Sequence, residues 1–242
     1  MAIVCEADAD FRAASTLIDR VLVEQIEWLE AENIEHVRCY AGVESEYEWT
    51  RLQNVDALLK ARKLKVKMGH FLGEPGDPDA LMARKSILLL SSMKPRPDVL
   101  VVIRDTDNQP ERKDGLDQAR SEYHGRPPLA LGVAIIKREN WILAGFRSRD
   151  DDENQRLQAE RQRLGYDPSQ SPHRANSHEY RSKNCPKQVL ENLMATADRE
   201  LECLRETALE ELQTRGINVG LADFLKEIEA TICPLLRTDQ RS

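Results

Sequence analysis

The chain has 242 residues, 40% hydrophobic and 32% charged, which excludes disordered and fibrous classes and is enough for a sizeable core. The net charge of -7 excludes a wholesale basic coat for nucleic acid, although residues 137–188 carry 11 basic against 8 acidic groups. The longest apolar runs fall far short of the roughly 20 residues of a membrane helix, and the early acidic residues do not fit a secretory signal. Five scattered cysteines (Cys5, Cys39, Cys185, Cys203, Cys233) fit reduced thiols and a cytoplasmic setting better than a disulfide framework.

Ile3 to Cys5 predicts a short first strand. Leu17, Ile18, Val21, Leu22, Ile26 and Leu29 then recur at helical spacing, with Asp10 as a candidate cap. A second strand is expected at Val37 to Ala41 and a helix at Val55 to Arg62. A loop rich in Gly and Pro leads to a helix from Asp79 to about Met93, stopped by Pro95 and Pro97. Val99 to Ile103 is the clearest buried strand, followed by a helix with Leu116 and Ala119 and a strand at Leu129 to Ile136. Continuously apolar strands alternating with helices predict an α/β fold, a parallel sheet covered on both faces.

The pattern changes after about residue 150. A charged helix is expected at Asn154 to Leu164, and residues 167–184 read as a polar loop. One helical stripe runs from Leu190 to Leu212 and another from Leu221 to Leu235. The chain therefore divides into a sheet domain at 1–150 and a helical extension at 151–242.

In an open parallel sheet, ligands bind beyond the carboxyl ends of the strands. Glu6 follows the first strand, with Asp8 and Asp10 behind it, and Asp105 and Asp107 follow the strongest strand. In an extended segment, residues two apart point the same way, so Asp105 and Asp107 are expected to face one cation. Mg²⁺ takes a few carboxylates together with waters and phosphate oxygens, and Glu6 completes such a set for phosphoryl chemistry. A further acid, Glu139, follows the strand at Leu129 to Ile136.

These motifs, in this order, resemble the Toprim family. A Glu follows the first strand in that family, and an Asp-x-Asp ends a later one. The nearest likenesses are nucleases of the overcoming-lysogenization-defect type and small stand-alone Toprim proteins encoded beside ATPases in bacterial anti-phage systems. In the small proteins, a Glu-Gly-x-x-acid-aromatic stretch matches Glu6-Ala7-Asp8-Ala9-Asp10-Phe11, with Ala7 where the family has Gly. The strand-Asp-x-Asp matches Val101 to Asp107. A Glu-x-Trp segment resembles Glu139 to Ala144, and a late Pro-Lys before an apolar helix resembles Pro186 to Leu190.

The resemblance implies a Toprim-like fold and an Mg²⁺- or Mn²⁺-dependent nuclease acting on DNA or tRNA. Glu6, Asp105 and Asp107 would hold metal, and Asp10 and Glu139 would serve a second ion or its waters. Lys187 would neutralise the phosphate. It also implies a partner ATPase, an anti-phage role and possible homo-oligomers. The alternative is a non-catalytic assembly or regulatory subunit that docks through its acidic helical tail. Basic clusters at Lys60 to Lys67 and Arg174 to Lys187 are expected to meet backbone phosphates.

Other chemistries fit less well. Asn108 and Gln109 after the Asp pair depart from haloacid-dehalogenase-like phosphatases. Sugar-nucleotide transferases would not need Glu6. No Gly-rich loop with Lys and Ser/Thr is present for a P-loop ATPase. His173, His178 and Cys185 match no usual zinc spacing.

Overall fold

The computed structural model describes residues 1–194 and 196–237. Four parallel strands form one sheet in the order β2-β1-β3-β4: β1 (Ala2–Cys5), β2 (Thr50–Arg51), β3 (Leu100–Asp105) and β4 (Leu129–Ala134). Registers such as Val4↔Val102 and Val102↔Leu131 place β1 and β3 at its centre. The helices of the first half are α1 (Asp8–Gln25), α2 (Ile34–Val37), α3 (Val55–Ala61), α4 (Ala80–Ser91), α5 (Glu111–Glu122) and α6 (Glu139–Gly145). Those of the second half are α7 (Asp151–Leu164), α8 (Pro186–Leu193), α9 (Ala197–Glu206), α10 (Leu209–Gly216) and α11 (Leu221–Thr231). Among the described residues no helix is long and apolar enough to cross a membrane.

The unbroken apolar strands have a simple cause. Successive side chains point to opposite faces, and both faces are covered. Ile3, Cys5, Val101, Ile103, Ala130 and Ala134 join one core with α1, α6 and α11. Ala2, Val4, Leu100, Val102, Leu131 and Val133 join the other with α3, α4 and α5. The expected α/β architecture with a helical C-terminal region is present.

The C-terminal helices share the first core rather than forming one of their own. Leu190, Leu204, Leu212, Phe224 and Ile228 belong to the same cluster as Ile3 and Leu17. Phe224 stacks on Trp141 with ring centroids 5.3 Å apart, and the Trp141 indole N–H donates to Val219 O at 2.8 Å. Gly132 on β4 makes room for this contact, since a side chain there would strike Ile103 and the Phe224 ring. Gly220, at φ +79, turns the chain into α11 against the Val133 carbonyl. Residue 150 therefore separates two stretches of sequence that bury one core together.

Three local expectations are corrected. The strand expected at Val37 to Ala41 is absent: Ile34–Val37 is a helical turn, and Thr50–Arg51 pairs with Val4 and Cys5 instead. The Ala41 N–H still meets Met1 O at 3.1 Å, while Tyr40 packs edge-on against Phe11. The stripe from Leu190 to Leu212 is three helices. The chain is extended at Thr207, whose hydroxyl donates to Gly145 O, and Arg20 holds the carbonyls of Leu204 and Thr207. The charged helix starts earlier than Asn154, because Asp150 accepts from the Glu153 N–H as an N-cap, and it ends at Gly165 in the left-handed region.

Truncation after Asp150 removes the cover of Trp141 and Ile142, so fragment 1–150 should aggregate; a monodisperse fragment by light scattering would contradict the shared core. In the full chain, Phe224→Ala should cost about 3–5 kcal/mol in denaturant unfolding.

Candidate active site

β1 leads outward to the edge strand β2, and β3 leads the other way to β4. The chain thus reverses its direction of travel across the sheet between β1 and β3, which is where open parallel sheets bind ligands. Glu6 is the residue after β1, and Asp105 is the last of β3.

A cleft of about 460 Å³ opens at this edge, lined by Glu6, Asp10, Asp105, Glu139 and Lys187 among others. Five of the six residues singled out in the sequence thus line one space. Glu6 and Asp105 come from strand ends. Asp10 is the third residue of α1, so it is not the helix's N-cap; its carboxylate accepts from the Ala7 N–H at 3.0 Å. Ala7 is extended at φ -141, a conformation open to any residue, so glycine is not required there. Glu139 opens α6. Lys187 comes from the first turn of α8, which Pro186 starts.

Asp107 lies apart. The backbone is no longer extended after Asp105: Asp107 and Asn108 have φ of 47° and 63°. The alternation that would aim both carboxylates at one cation therefore does not continue. Asp107 accepts from Arg112 at 2.8 Å and pairs with Lys137 at 3.4 Å. Its loop is sewn to the one after β4 by Asp107 N–H to Ile136 O and Ile136 N–H to the Thr106 hydroxyl, at 3.0 and 2.8 Å.

Arginines answer most of the remaining acids. Arg104 pairs with Glu6 and reaches Asp79 at 2.6 Å. Arg138 is only 6% exposed and stands among Asp10 (3.4 Å), Glu139 (3.7 Å) and Glu200 (2.9 Å). Burial opposes its charge, but Glu139, Glu200 and Asp10 hold its pKa above the ordinary value. Among the described residues Asp105 has no such ion pair. It accepts the backbone N–H of Arg138 at 3.1 Å. Burial first, then the charges of Asp10, Glu139 and Asp107, push its pKa well above the usual carboxylate range. Burial raises Asp10 too, against Arg138 and the Ala7 N–H.

Sequence reasoning missed Arg138 and Glu200. Arg138 stood beside Glu139 in plain view, but nothing marked a basic residue as part of an acidic site. Glu200 is one acid among many in an amphipathic helix, brought to the cleft only by the break between α8 and α9.

The donors are carboxylate oxygens, which suit hard cations such as Mg²⁺ or Mn²⁺. The half-buried Asp105 carboxylate, without an ion pair among the described residues and facing other acids, fits a missing positive charge. Among the described residues, however, no three acid, His or Cys side chains are placed to hold one ion together, and Arg138 stands between several of them. The basic segment Arg174 to Lys187 reaches the cleft through Lys187, whereas Lys67 pairs with Glu122 at the end of α5, away from the cleft's lining. No family model matches the chain, and neither a curated protein nor a solved structure matches it.

Folded Asp105 keeps its proton to higher pH than it would unfolded, so ionising it costs stability as pH rises from the ordinary carboxylate range through its raised value. Asp105→Asn, which keeps an acceptor for the Arg138 N–H, should therefore melt higher than the wild type at pH 8. The gap should shrink toward pH 4 in paired thermal melts without divalent ions.

Proposed function

We propose that the cleft hydrolyses nucleic-acid phosphodiesters with the help of a divalent cation. The observation that carries this reading is the convergence of Glu6, Asp10, Asp105 and Glu139, with Lys187 facing them, at the reversal point of a parallel sheet. The resemblance of the same residues to Toprim nucleases supports it.

Holding the cation would require Asp105 to be joined by Glu6 and Asp10, which are not gathered around one point here and are paired with Arg104 and Arg138. A bound Mg²⁺ or Mn²⁺ supplies Lewis-acid polarisation of the phosphate and a more acidic water. The chain's own groups do the rest. Lys187 offsets the phosphate charge as it grows in the transition state. Arg104 and Arg138 fix the directions of Glu6, Asp10 and Glu139, and the Arg138 N–H orients Asp105. Asp107 pairs with Arg112 and with Lys137, which itself lines the cleft.

The same reading includes an effector role in bacterial anti-phage defence under a partner ATPase. The net charge of -7 opposes strong autonomous binding to a polyanion, which supports dependence on a partner. One observation favours a second reading, a non-catalytic regulatory subunit: guanidinium groups already neutralise Glu6, Asp10, Glu139 and Glu200.

Under the hydrolytic reading, Mg²⁺ or Mn²⁺ raises the melting temperature and Asp105→Ala abolishes that shift. The isolated chain should cut plasmid DNA or total tRNA weakly, and cleavage should rise when the proteins encoded beside it are added. Glu6→Gln, which keeps size and removes charge, should abolish cleavage. Glu6→Gln cleaving like the wild type would remove Glu6 from the site, and no cleavage in any combination would favour the regulatory subunit.

A further inference from the structure

We infer that the loop between α7 and α8 is a docking surface for an unpaired nucleotide, with the Tyr180 ring as a stacking platform and Lys187 as the contact for the adjoining phosphate. The inference rests on the hydrolytic reading only for the destination of the strand, the cleft that Lys187 also lines.

Tyr180 is a large aromatic side chain left 52% exposed on a loop that is otherwise polar. Its hydroxyl donates to Glu191, a lining residue of the cleft, at 2.6 Å, which pins the ring beside the cleft's rim. The Lys187 ammonium lies 5.7 Å from the ring centroid. The ammonium lies over one face of the ring, so the opposite face of the half-exposed Tyr180 is the one a base would stack on, with the cation across the ring from it. A base followed by its phosphate presents the complementary pair, a π-face and a negative charge about one nucleotide apart.

The loop is built rather than slack. Asn140 of α6 donates to Pro172 O and Ala175 O, at 2.7 and 2.9 Å, and so anchors the loop's base. Within it, Ser177 N–H meets Asn184 O and Ser182 N–H meets Glu179 O, at 3.1 and 2.9 Å. His178 Nδ1 lies 3.1 Å from Asn108 Nδ2, which ties the loop to the turn after Asp105 and Asp107. Held this way, the ring costs little to order on binding.

The local charge is favourable where the whole chain's is not. Arg174, Arg181, Lys183 and Lys187 are exposed along this segment, with Glu179 the one acid among residues 173–187. A rigid duplex keeps its bases stacked on each other and cannot offer a base face to Tyr180. An unpaired base can, at a strand end, loop or gap.

The test is equilibrium binding of the full chain to fluorescent dodecamers in EDTA, so that binding is read without cleavage. Single-stranded DNA, single-stranded RNA and duplex DNA form its three arms, and melting temperatures confirm folding of each variant. The wild type should bind a single strand at least about tenfold tighter than duplex, and the DNA and RNA arms show which sugar is accepted. Tyr180→Ala should weaken single-strand binding about 5- to 150-fold, the loss of one base–aromatic stack. Tyr180→Phe, which keeps the ring, should bind within a few-fold of wild type. Lys187→Gln should weaken binding and lower the salt slope by about one.

Equal binding of single strand and duplex would overturn the platform, as would an unchanged Tyr180→Ala or no binding at all. Parallel cleavage assays with Mn²⁺ separate the two ideas. Tyr180-dependent binding without cleavage in any condition keeps the platform and sinks the hydrolytic reading. Cleavage with Tyr180-independent binding does the reverse.

Discussion

The cost of burying Asp105 governs the carboxyl edge of this sheet. β3 runs through the centre of the fold, and its last residue ends half-buried at the cleft, facing acids from α1 and α6. One backbone N–H is all the direct hydrogen bonding it receives from Arg138. The surrounding acids would repel one another without compensation, and three arginines supply it. Arg104 joins β3 to Glu6 and Asp79, Arg112 joins α5 to Asp79 and Asp107, and Arg138 joins α6 to α1 and α9. Such desolvated pairs add little net stability, but breaking one partner leaves a buried charge unanswered. Their effect is geometric: each guanidinium sets the spacing between carboxylates contributed by different elements.

This arrangement makes the C-terminal helices part of the site as well as part of the core. α8 contributes Lys187, Leu190 and Glu191 to one wall, and α9 contributes Glu200. Both helices pack on α6, whose first residues are Arg138's neighbours and whose Trp141 stacks on α11. α6 thus touches the cleft walls α8 and α9 as well as α11, the helix that seats the tail on β4. The arrangement also joins the two halves of the sequence at the place where the chemistry is proposed.

Much of this was readable from residue order. Val99 to Ile103 and Leu129 to Ile136 announced buried strands because both of their faces are covered. Glu6 and Asp105 could be placed at strand ends because one apolar run stops at Cys5 and the other at Ile103. Other features were hidden for physical reasons. Thr50–Arg51 is a two-residue strand with no apolar pattern, held by pairing with β1 and by the Val43 N–H on the Thr50 hydroxyl. The stripe after Leu190 is broken where the caps Met194 and Thr196 are extended, and again at Thr207, which bonds to α1 and α6 hold extended. The turn at Asp107 and Asn108 depends on hydrogen bonds with Ile136, in the loop after β4, which no local rule contains.

Four of the five thiols are sealed inside the fold, and each belongs to a different element: Cys5 at the end of β1, Cys185 before α8, Cys203 in α9 and Cys233 after α11. Burial pushes the Cys203 thiol up to about 12, so at neutral pH it stays protonated and a poor nucleophile. Cys39 alone among the five is exposed. A thiol reagent added to the native chain therefore meets one ready target. Modification at the other four waits for the local opening of the element that carries each. The cysteines are natural clocks: Cys185 and Cys203 time the wall of the cleft, Cys5 times its floor, and Cys233 times the seat of the last helix.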